Sequence, residues 1–434
     1  MDKALLLDLG LCFLAYSFLG WCTEVLYYAV AQRKFCNRGF LTLPFLLSYG
    51  VSFDLMMLTL PALAGRYWLQ FLFTMAIVSV VESFSEHLNR WLGPNVHWGG
   101  ERPRILAGSW KGLISSGLVA AGFYVTYLVS HPLLLGIMAL APAALKRIAV
   151  WGCIALMTAD FAGVLYTLRT GGARAYERRE ANSSEGKIAG RITRAVWRRL
   201  QKAYPGIREM SPEEQGSYTF AQGICADKLV WVFLSSALLG DIIETFWCGL
   251  VNGQWMSRSS VLYGPFSLVW GLGAVVLTVT LQRLAGRDSF FVFAAGFFIG
   301  GAYEYMCSVF TELVFGTVFW DYSHMPLNIG GRTNVLFCFF WGVLAVAWIK
   351  GIYPWMSQLI EGLPALAGKA ATWLIVAVMI CNGLLTCAAM VRYSTRAVRP
   401  QPANSFEEFI DRQYGDGFME RRWPNMIVTE KSSL

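Results

Sequence analysis

Charged residues are scarce in this sequence. They make up 15% of its 434 residues, while hydrophobic residues make up 56% and the mean hydropathy is +0.46. A soluble domain carries roughly a quarter charged residues, and a soluble chain of this composition would expose more apolar surface than its charges could keep in solution. The same figures exclude a disordered chain, a collagen and a disulfide scaffold. The composition predicts an all-α, multi-pass protein of the cell membrane, in a bacterium the inner membrane.

Sequence motifs of common enzymes are also missing. There is no GxxxxGK[ST] phosphate loop, so any ATP-driven activity would need a separate ATPase subunit. No HExxH, GxSxG or paired-cysteine metal motif is present, and the four histidines are dispersed. The ten cysteines lie mostly in apolar runs and are interpreted as small buried residues. We therefore expect no enzymatic activity, no cofactor and no metal site.

Ten stretches are apolar enough to cross a bilayer, which takes about 20 residues of helix. They lie at 4–30, 43–64, 68–88, 105–129, 145–168, 229–251, 261–284, 289–311, 335–353 and 371–391.

The two halves of the chain repeat each other in sequence. Matches in chain order, at shifts of 220 to 222, include Gly20 with Gly240, Glu24 with Glu244, Leu41 with Leu262, Pro44 with Pro265, Glu82 with Glu304, and Trp151 with Trp373. Ordered matches with so little drift indicate a tandem duplication of a five-span unit. Because five is odd, the two repeats are expected to be inverted, with an intramembrane carboxylate site between them.

The basic residues are concentrated in one segment. Residues 169–228 hold twelve Lys and Arg against seven Asp and Glu, net +5 of the +8 in the whole chain. Cytoplasmic loops carry such an excess, and no nucleic-acid recognition motif accompanies it. We predict a first membrane repeat at 1–168, a basic cytoplasmic linker at 169–228, a second membrane repeat at 229–391 and a polar tail at 392–434.

An amphipathic helix is predicted at 187–204 within the linker. Its apolar residues recur every four positions, and its basic residues occupy other faces. Such a helix can lie on the membrane with its basic residues on anionic lipid head groups. The residues assigned to that contact are Arg191, Arg194, Arg198, Arg199 and Lys202. The alternative is a linker helix that packs on the membrane domain, and either arrangement is compatible with a protein partner.

Acidic residues inside apolar spans are costly and mark functional candidates. The spacing of Glu304, Ser308 and Glu312 places all three on one helix face. The predicted site for a cation, proton or amine-bearing substrate comprises Glu24, Glu82, Glu244, Glu304, Ser308 and Glu312. The alternative is that the carboxylates pair with Arg38, Arg258 and Arg332 and only lock the helices together.

Two loops combine glycine with polar residues, which allows tight turns and close approach. One contains Asn37 and Arg38, and the other extends from Trp320 to Arg332. Residues predicted to shape or gate a cavity are Asn37, Arg38, Arg258, Asp321, Tyr322, Asn328 and Arg332. For Asp321 with Arg332 we expect a charge pair at the membrane edge, whereas Trp320 alone is also explained by interfacial anchoring.

These residues resemble a known family, the CmpB-type "putative ABC-transporter type IV" membrane proteins. The first half keeps the family's early block, Asn37-Arg38-Gly39-Phe40-Leu41, and the second half keeps its late block, Trp320-Asp321-Tyr322-Ser323 after Glu304-Tyr305. Each half is degraded where the other is intact, so the two repeats divide one ancestral site. The resemblance covers both membrane halves but neither linker nor tail, and it implies a permease.

Two functions follow as hypotheses. The first is a permease of unknown substrate, in which Glu82, Glu304 and Glu312 bind a cation or couple protons. The second is a non-transporting scaffold or regulator whose linker binds a partner or anionic lipid. An intramembrane enzyme acting on lipid is a third, but no nucleophile or metal motif supports it.

Overall fold

A computed structural model describes residues 3–33, 39–93, 96–98, 110–169, 186–204, 207–209, 219–253, 255–396 and 399–428. The chain divides into two compact units, Met1–Tyr218 and Thr219–Leu434. Each unit is helical, and the two have the same order of elements.

The first unit begins with five apolar helices and ends with an amphipathic one. These are α1 (Lys3–Gln32), α2 (Leu47–Thr59), α3 (Tyr67–Leu92), α4 (Trp110–Leu140), α5 (Ala143–Arg169) and α6 (Gly186–Ala203). A short antiparallel pair joins β1 (Val96–Trp98), after α3, to β2 (Ile207–Glu209), after α6.

The second unit has the same plan, with its fourth helix continued through a π-helical turn at Trp348–Ile352. Its helices are α7 (Ala226–Asn252), α8 (Leu268–Leu281), α9 (Ser289–Phe315), α10 (Val335–Ala347), α11 (Tyr353–Glu361), α12 (Ala365–Arg396), α13 (Ser405–Gln413) and α14 (Asp416–Arg422). The strands are β3 (Thr317–Val318), β4 (Asn328–Ile329), β5 (Thr333–Asn334) and β6 (Ile427–Val428), paired β3 with β6 and β4 with β5.

Eight helices of the described residues are long and apolar enough to cross a membrane. The predicted spans at 43–64 and 261–284 differ, because α2 and α8 have only 13 and 14 residues, short of the about 20 that a bilayer requires. The chain before each short helix is non-helical, and a 3-10 turn follows the helix, at Pro61–Leu63 and at Gln282–Leu284. We call residues 39–63 and 258–284 the broken spans, each made of a non-helical segment, called here the extended segment, followed by a short helix.

The short helix of each broken span begins halfway along the preceding long helix. In the first unit, the amide of Leu46 donates to the Ser17 carbonyl at 2.9 Å, and Phe53 stacks on Tyr16 with ring centroids 3.8 Å apart. In the second, the Ser267 amide donates to the Ala237 carbonyl at 2.9 Å. The sequence repeat is therefore also a repeat of this backbone hydrogen bond.

Glycine allows the close approach of these two helices. A Cβ on Gly20 would lie 2.3 Å from the Tyr49 ring, and one on Gly240 would lie 2.1 Å from the Trp270 ring. Such distances leave no room for any side chain. This packing explains why glycine recurs at both positions.

The extended segments obtain backbone hydrogen bonds from the last long helix of their unit. Asp160 in α5 accepts from the Leu43 amide at 2.9 Å and from the Thr42 hydroxyl. In α12, Asn382 accepts from the Tyr263 amide at 3.2 Å and donates to its carbonyl at 2.8 Å. Irregular backbone at membrane depth is tolerated only where its polar groups are satisfied in this way. Asp160, an acidic residue inside a span, thus has a structural explanation.

Substitution of Asp160 tests this explanation. Asp160→Asn, which installs the residue of the second repeat, is expected to keep the Leu43 bond and near wild-type stability. Asp160→Leu leaves a buried amide unsatisfied and is expected to cost about 1–3 kcal/mol. Unfolding of the purified protein in detergent measures both variants. Equal losses for Asn and Leu would show that the charge, and not the acceptor, matters here.

The amphipathic segment of each unit also contacts the extended segment. Arg199 in α6 donates to the carbonyls of Phe40, at 3.2 Å, and Leu41. Arg422 in α14 donates to the Val261 carbonyl at 2.7 Å and the Gly264 carbonyl at 2.9 Å. Burial lowers the pKa of both guanidiniums, although arginine stays protonated. Linker and tail are therefore equivalent parts of the structural repeat.

Candidate polar site of the second repeat

Glu304 is the centre of a buried polar cluster in the second unit. It lies two-thirds of the way along α9 and is only 7% exposed. Its carboxylate accepts from the Tyr322 hydroxyl at 3.0 Å and from the Thr333 hydroxyl at 2.8 Å. Both donors belong to the loop that follows α9, so the carboxylate is bound by side chains that approach from outside its own helix.

The loop at 316–334 is shaped by side-chain caps. Asp321 accepts from the Ser323 amide at 2.8 Å, and Asn328 accepts from the Gly331 amide at 3.0 Å. Gly331 has φ +70°, and a Cβ there would lie 2.6 Å from the Asp321 carboxylate, so only glycine fits. Asn334 then caps α10 by accepting from the Phe337 amide at 2.9 Å. Asp321 and Asn328 therefore shape the loop that presents Tyr322.

Tyr322 lies between the Glu304 carboxylate and an aromatic ring. Its ring stacks on Phe337, with centroids 4.5 Å apart. Burial raises the pKa of the Tyr322 hydroxyl, the carboxylates of Glu304 and Glu244 raise it further, and Arg258 lowers it. The direct hydrogen bond of this hydroxyl is to Glu304.

Glu244 lies beside the broken span. It accepts from the Trp270 indole at 2.6 Å and from Arg258 at 3.2 Å. One turn earlier in α7, Asp241 is 2% exposed and accepts from the Ser257 hydroxyl at 3.2 Å. Two carboxylates of α7 therefore face the residues that begin the extended segment.

Arg332 pairs with Glu312 and not with Asp321. Its guanidinium donates to the Glu312 carboxylate and, at 3.2 Å, to the Ser308 hydroxyl. It also lies over the Tyr305 ring, 5.9 Å from the centroid. The predicted face of Glu304, Ser308 and Glu312 thus meets one loop, but the expected charge pair at the membrane edge does not form because Asp321 caps its own turn.

The alternative, in which arginines pair with the carboxylates and hold the helices together, applies to two ion pairs of the second unit. Arg258 pairs with Glu244 and Arg332 with Glu312. In the first unit, Glu24 and Glu82 are half-buried. Asn37 and Arg38 lie outside the described residues, so their predicted roles stay predictions.

The linker residues assigned to lipid do not form one surface. Arg199 contacts backbone carbonyls, while Arg198 and Lys202 are exposed and Arg194 is half-exposed. The side chain of Arg191 lies outside the described residues. The apolar side of α6, including Val196 and Leu200, packs on the first unit's core. This contact favours the packed linker helix, and lipid binding by the exposed basic residues stays a prediction.

Sequence reasoning missed two residues of the cluster: Thr333 and Trp270. Trp270 had a signal, because it falls on Tyr49 at the shift of 221 that aligns the flanking glycines. Among the described residues, no group of three His, Cys, Asp or Glu side chains is arranged to hold a metal ion.

Comparison with known proteins gives one match. The family model described as "Putative ABC-transporter type IV" matches residues 11–165 and again residues 231–387. The two matched regions confirm the predicted resemblance and the tandem duplication. No curated protein and no solved structure matches the chain.

Proposed function

The chain belongs to the putative ABC-transporter type IV family, and on this premise we propose that it is a membrane transporter whose polar site lies around Glu304 in the second repeat. The observation that carries the proposal is a buried carboxylate, 7% exposed, held by the hydroxyls of Tyr322 and Thr333. An ionisable residue in a span, satisfied by neutral donors, can exchange a proton or a cation without losing its position.

The neighbouring broken span supports this proposal. In transporters, discontinuous helices form substrate and ion sites, because their interrupted backbone can face a polar cavity. Here Glu244 contacts the start of the second repeat's extended segment through Arg258 at 3.2 Å, and the first turn of the short helix that follows through Trp270 at 2.6 Å. A movement of that segment would therefore alter the charge environment near Glu304.

We also propose that each repeat crosses the membrane five times, with the broken span as its second crossing. In the first unit, α6 contacts the segment after α1 through Arg199, and β2 after α6 pairs with β1 after α3. These contacts support an arrangement in which the C-terminal ends of α1 and α3 and the helix α6 lie on the same side of the membrane. An odd count places linker and tail on opposite sides of the membrane, the inverted arrangement. Labelling of single cysteines in 170–185 and 429–434 from each side of sealed vesicles measures this.

The first three arginines of the tail are paired with carboxylates. Arg392 pairs with Asp411 at 2.7 Å, and Arg396 with Asp411 at 3.0 Å. Arg399 pairs with Glu407 at 2.6 Å. The positive-inside rule counts basic residues and gives acidic ones little weight, so the labelling experiment, and not these charges, decides the side on which the tail lies.

Loss of the Glu304 charge tests the transport proposal. We expect vesicles containing the wild-type protein to take up radiolabelled methylammonium, or to exchange protons seen by an internal pH dye, above protein-free vesicles. Glu304→Gln is expected to lower this flux at least tenfold. Its fold is expected to persist, since the amide oxygen still accepts from Tyr322 and the Thr333 hydroxyl can accept from the amide nitrogen.

The matched control is Glu420→Gln, on an exposed position of α14, which should leave the flux unchanged. Wild-type flux in a folded Glu304→Gln protein would overturn the role of Glu304. A requirement for ATP together with a separate ATPase subunit, which the family name suggests, is tested by adding ATP and that subunit to the same vesicles.

A non-transporting scaffold is the second candidate. It is favoured by the two ion pairs of the second unit, Arg258 with Glu244 and Arg332 with Glu312, which can be purely structural. The exposed basic side of α6, with Arg198 and Lys202, would then bind a partner or anionic lipid. No flux of either probe, with linker-dependent binding of a partner, would favour this function.

A further inference from the structure

An apolar groove runs away from the polar cluster of the second unit. Its enclosed part has a volume of about 70 Å³, it is open along one side, and it is lined by residues of α7, α8, α10 and the π-helical turn. The lining residues used below are Ser236, Ile243, Trp270, Ala274, Trp341 and Trp348. Trp348 is fixed as part of the wall, since its indole donates to the Thr278 hydroxyl at 2.8 Å.

Trp270 joins the groove to the polar cluster. One part of its side chain lines the groove, and its indole N–H donates to Glu244 at 2.6 Å. Ile243, also in the groove wall, immediately precedes Glu244 in α7. Trp341, which also lines the groove, hydrogen-bonds to Glu304. The groove therefore begins beside both carboxylates and continues along three helices as apolar surface.

The first repeat shows what the groove looks like when it is filled. At the positions that align with Ser236 and Ala274, it has Tyr16 and Phe53, whose rings stack 3.8 Å apart and are buried. Phe123 continues the stack, with its centroid 5.3 Å from that of Phe53. The second repeat replaces two large rings by two small side chains and has the groove instead.

We infer that this groove and the adjoining cluster bind a single-chain amphiphile with an amine head group, its ammonium between the carboxylates of Glu244 and Glu304 and its alkyl chain along the groove. The inference rests on the proposed function, since it names the substrate class of the same site. The four carboxylates Asp241, Glu244, Glu304 and Glu312 outnumber the three arginines near them, Arg258, Arg332 and Arg422, which favours a cationic head. From Trp341 to Ile352 the groove follows about 16 Å of helix, close to the roughly 15 Å that one leaflet of hydrocarbon occupies.

Binding of radiolabelled amines of different chain length tests the inference. The full chain in lipid nanodiscs, corrected for empty nanodiscs, is expected to bind dodecylamine saturably and at least tenfold more tightly than butylamine. Dodecanoate, with the same chain length and an anionic head, is expected to bind at least tenfold more weakly than dodecylamine. Glu304→Gln is expected to weaken both amines.

Ala274→Phe restores the aromatic residue of the first repeat and is expected to remove the preference for the long chain while butylamine binding persists. Ala370→Phe, at an exposed position of α12, is the matched control. Leu239→Trp, which narrows the groove from its open side, serves if Ala274→Phe does not fold. Equal binding of the two amines, or of dodecanoate, would overturn the amphiphile but leave the proposed function standing. Absence of binding by both amines, with no effect of Glu304→Gln, would overturn both.

Discussion

Replacing Glu361 by alanine is expected to lower the free energy of unfolding by about 3 kcal/mol, because it leaves a buried ammonium without its counter-ion. Lys228 is fully buried at the start of α7 and donates to Glu361 at 2.6 Å and to the Ser357 carbonyl at 3.2 Å. Removing one partner of a buried pair costs about 3–5 kcal/mol. The lower end applies here because the Glu361 side chain remains 30% exposed.

Replacing Lys228, the other partner of the pair, should lower the free energy of unfolding by less. Lys228→Met fills the same volume with an apolar side chain and leaves behind Glu361, which water can reach. Glu361→Gln keeps an acceptor for the ammonium, and its loss of unfolding free energy is expected to lie between the losses for Glu361→Ala and Lys228→Met. Denaturant unfolding in one detergent measures all three, with Glu420→Ala at an exposed position as the control, expected within about 0.5 kcal/mol of wild type. A larger loss for Lys228→Met than for Glu361→Ala would contradict the burial argument.

The sequence predicted the polar cluster in part. The spacing of Glu304, Ser308 and Glu312 placed them on one helix face, and the structure confirms it because helical geometry needs only local information. The donors to Glu304 were harder to find. Thr333 is an ordinary threonine in the sequence, and only the turn around Gly331 brings it to α9, 29 residues away. Contacts fixed by loop conformation leave no periodic signal.

The broken spans could not be predicted from hydropathy. Residues 43–64 and 261–284 are predominantly apolar. The mean hydropathy of such a stretch is the same whether all of it is helical or half of it is not. What distinguishes them is where their backbone groups find partners, and those partners, Asp160 and Asn382, lie more than 115 residues further along the chain. The repeated glycine at 20 and 240 was a visible signal, because it marks the close approach of the short helix.

The linker and the tail differ in charge, which concealed their equivalence. The linker has a net charge of +5, whereas the tail from residue 392 has +1. Each nevertheless contains an arginine doublet, Arg198-Arg199 and Arg421-Arg422, in which the first residue is exposed and the second contacts the extended segment. In each segment a single guanidinium and its apolar neighbours make the contact with the extended segment. The net charge of the segment therefore gave no indication that linker and tail are equivalent.

This equivalence leads to the second large expected effect, at Trp423. The side chain is 7% exposed, packs in an apolar cluster with Met419 and Tyr414, and donates its indole N–H to the Ser259 carbonyl at 2.7 Å. Trp423→Ala is expected to cost about 3–5 kcal/mol, the range for a buried aromatic residue replaced by alanine. Arg422→Ala, which removes a charged donor from two carbonyls, is expected to cost about 1.5–3 kcal/mol.

The residues at which amide hydrogen exchange rises distinguish the loss of a specific contact from general destabilisation. If Arg422 and Trp423 hold the extended segment, amide hydrogen exchange in 259–267 should rise in both variants before exchange rises in the long helices. Arg421→Ala, at the exposed neighbour, should leave exchange unchanged, and Arg199→Ala against Arg198→Ala should give the same contrast at residues 40–43. Uniformly faster exchange across the unit, with no excess in 259–267, would contradict a specific role. A local excess in both repeats would show that each broken span depends on a segment outside the membrane, through which a soluble partner could act on it.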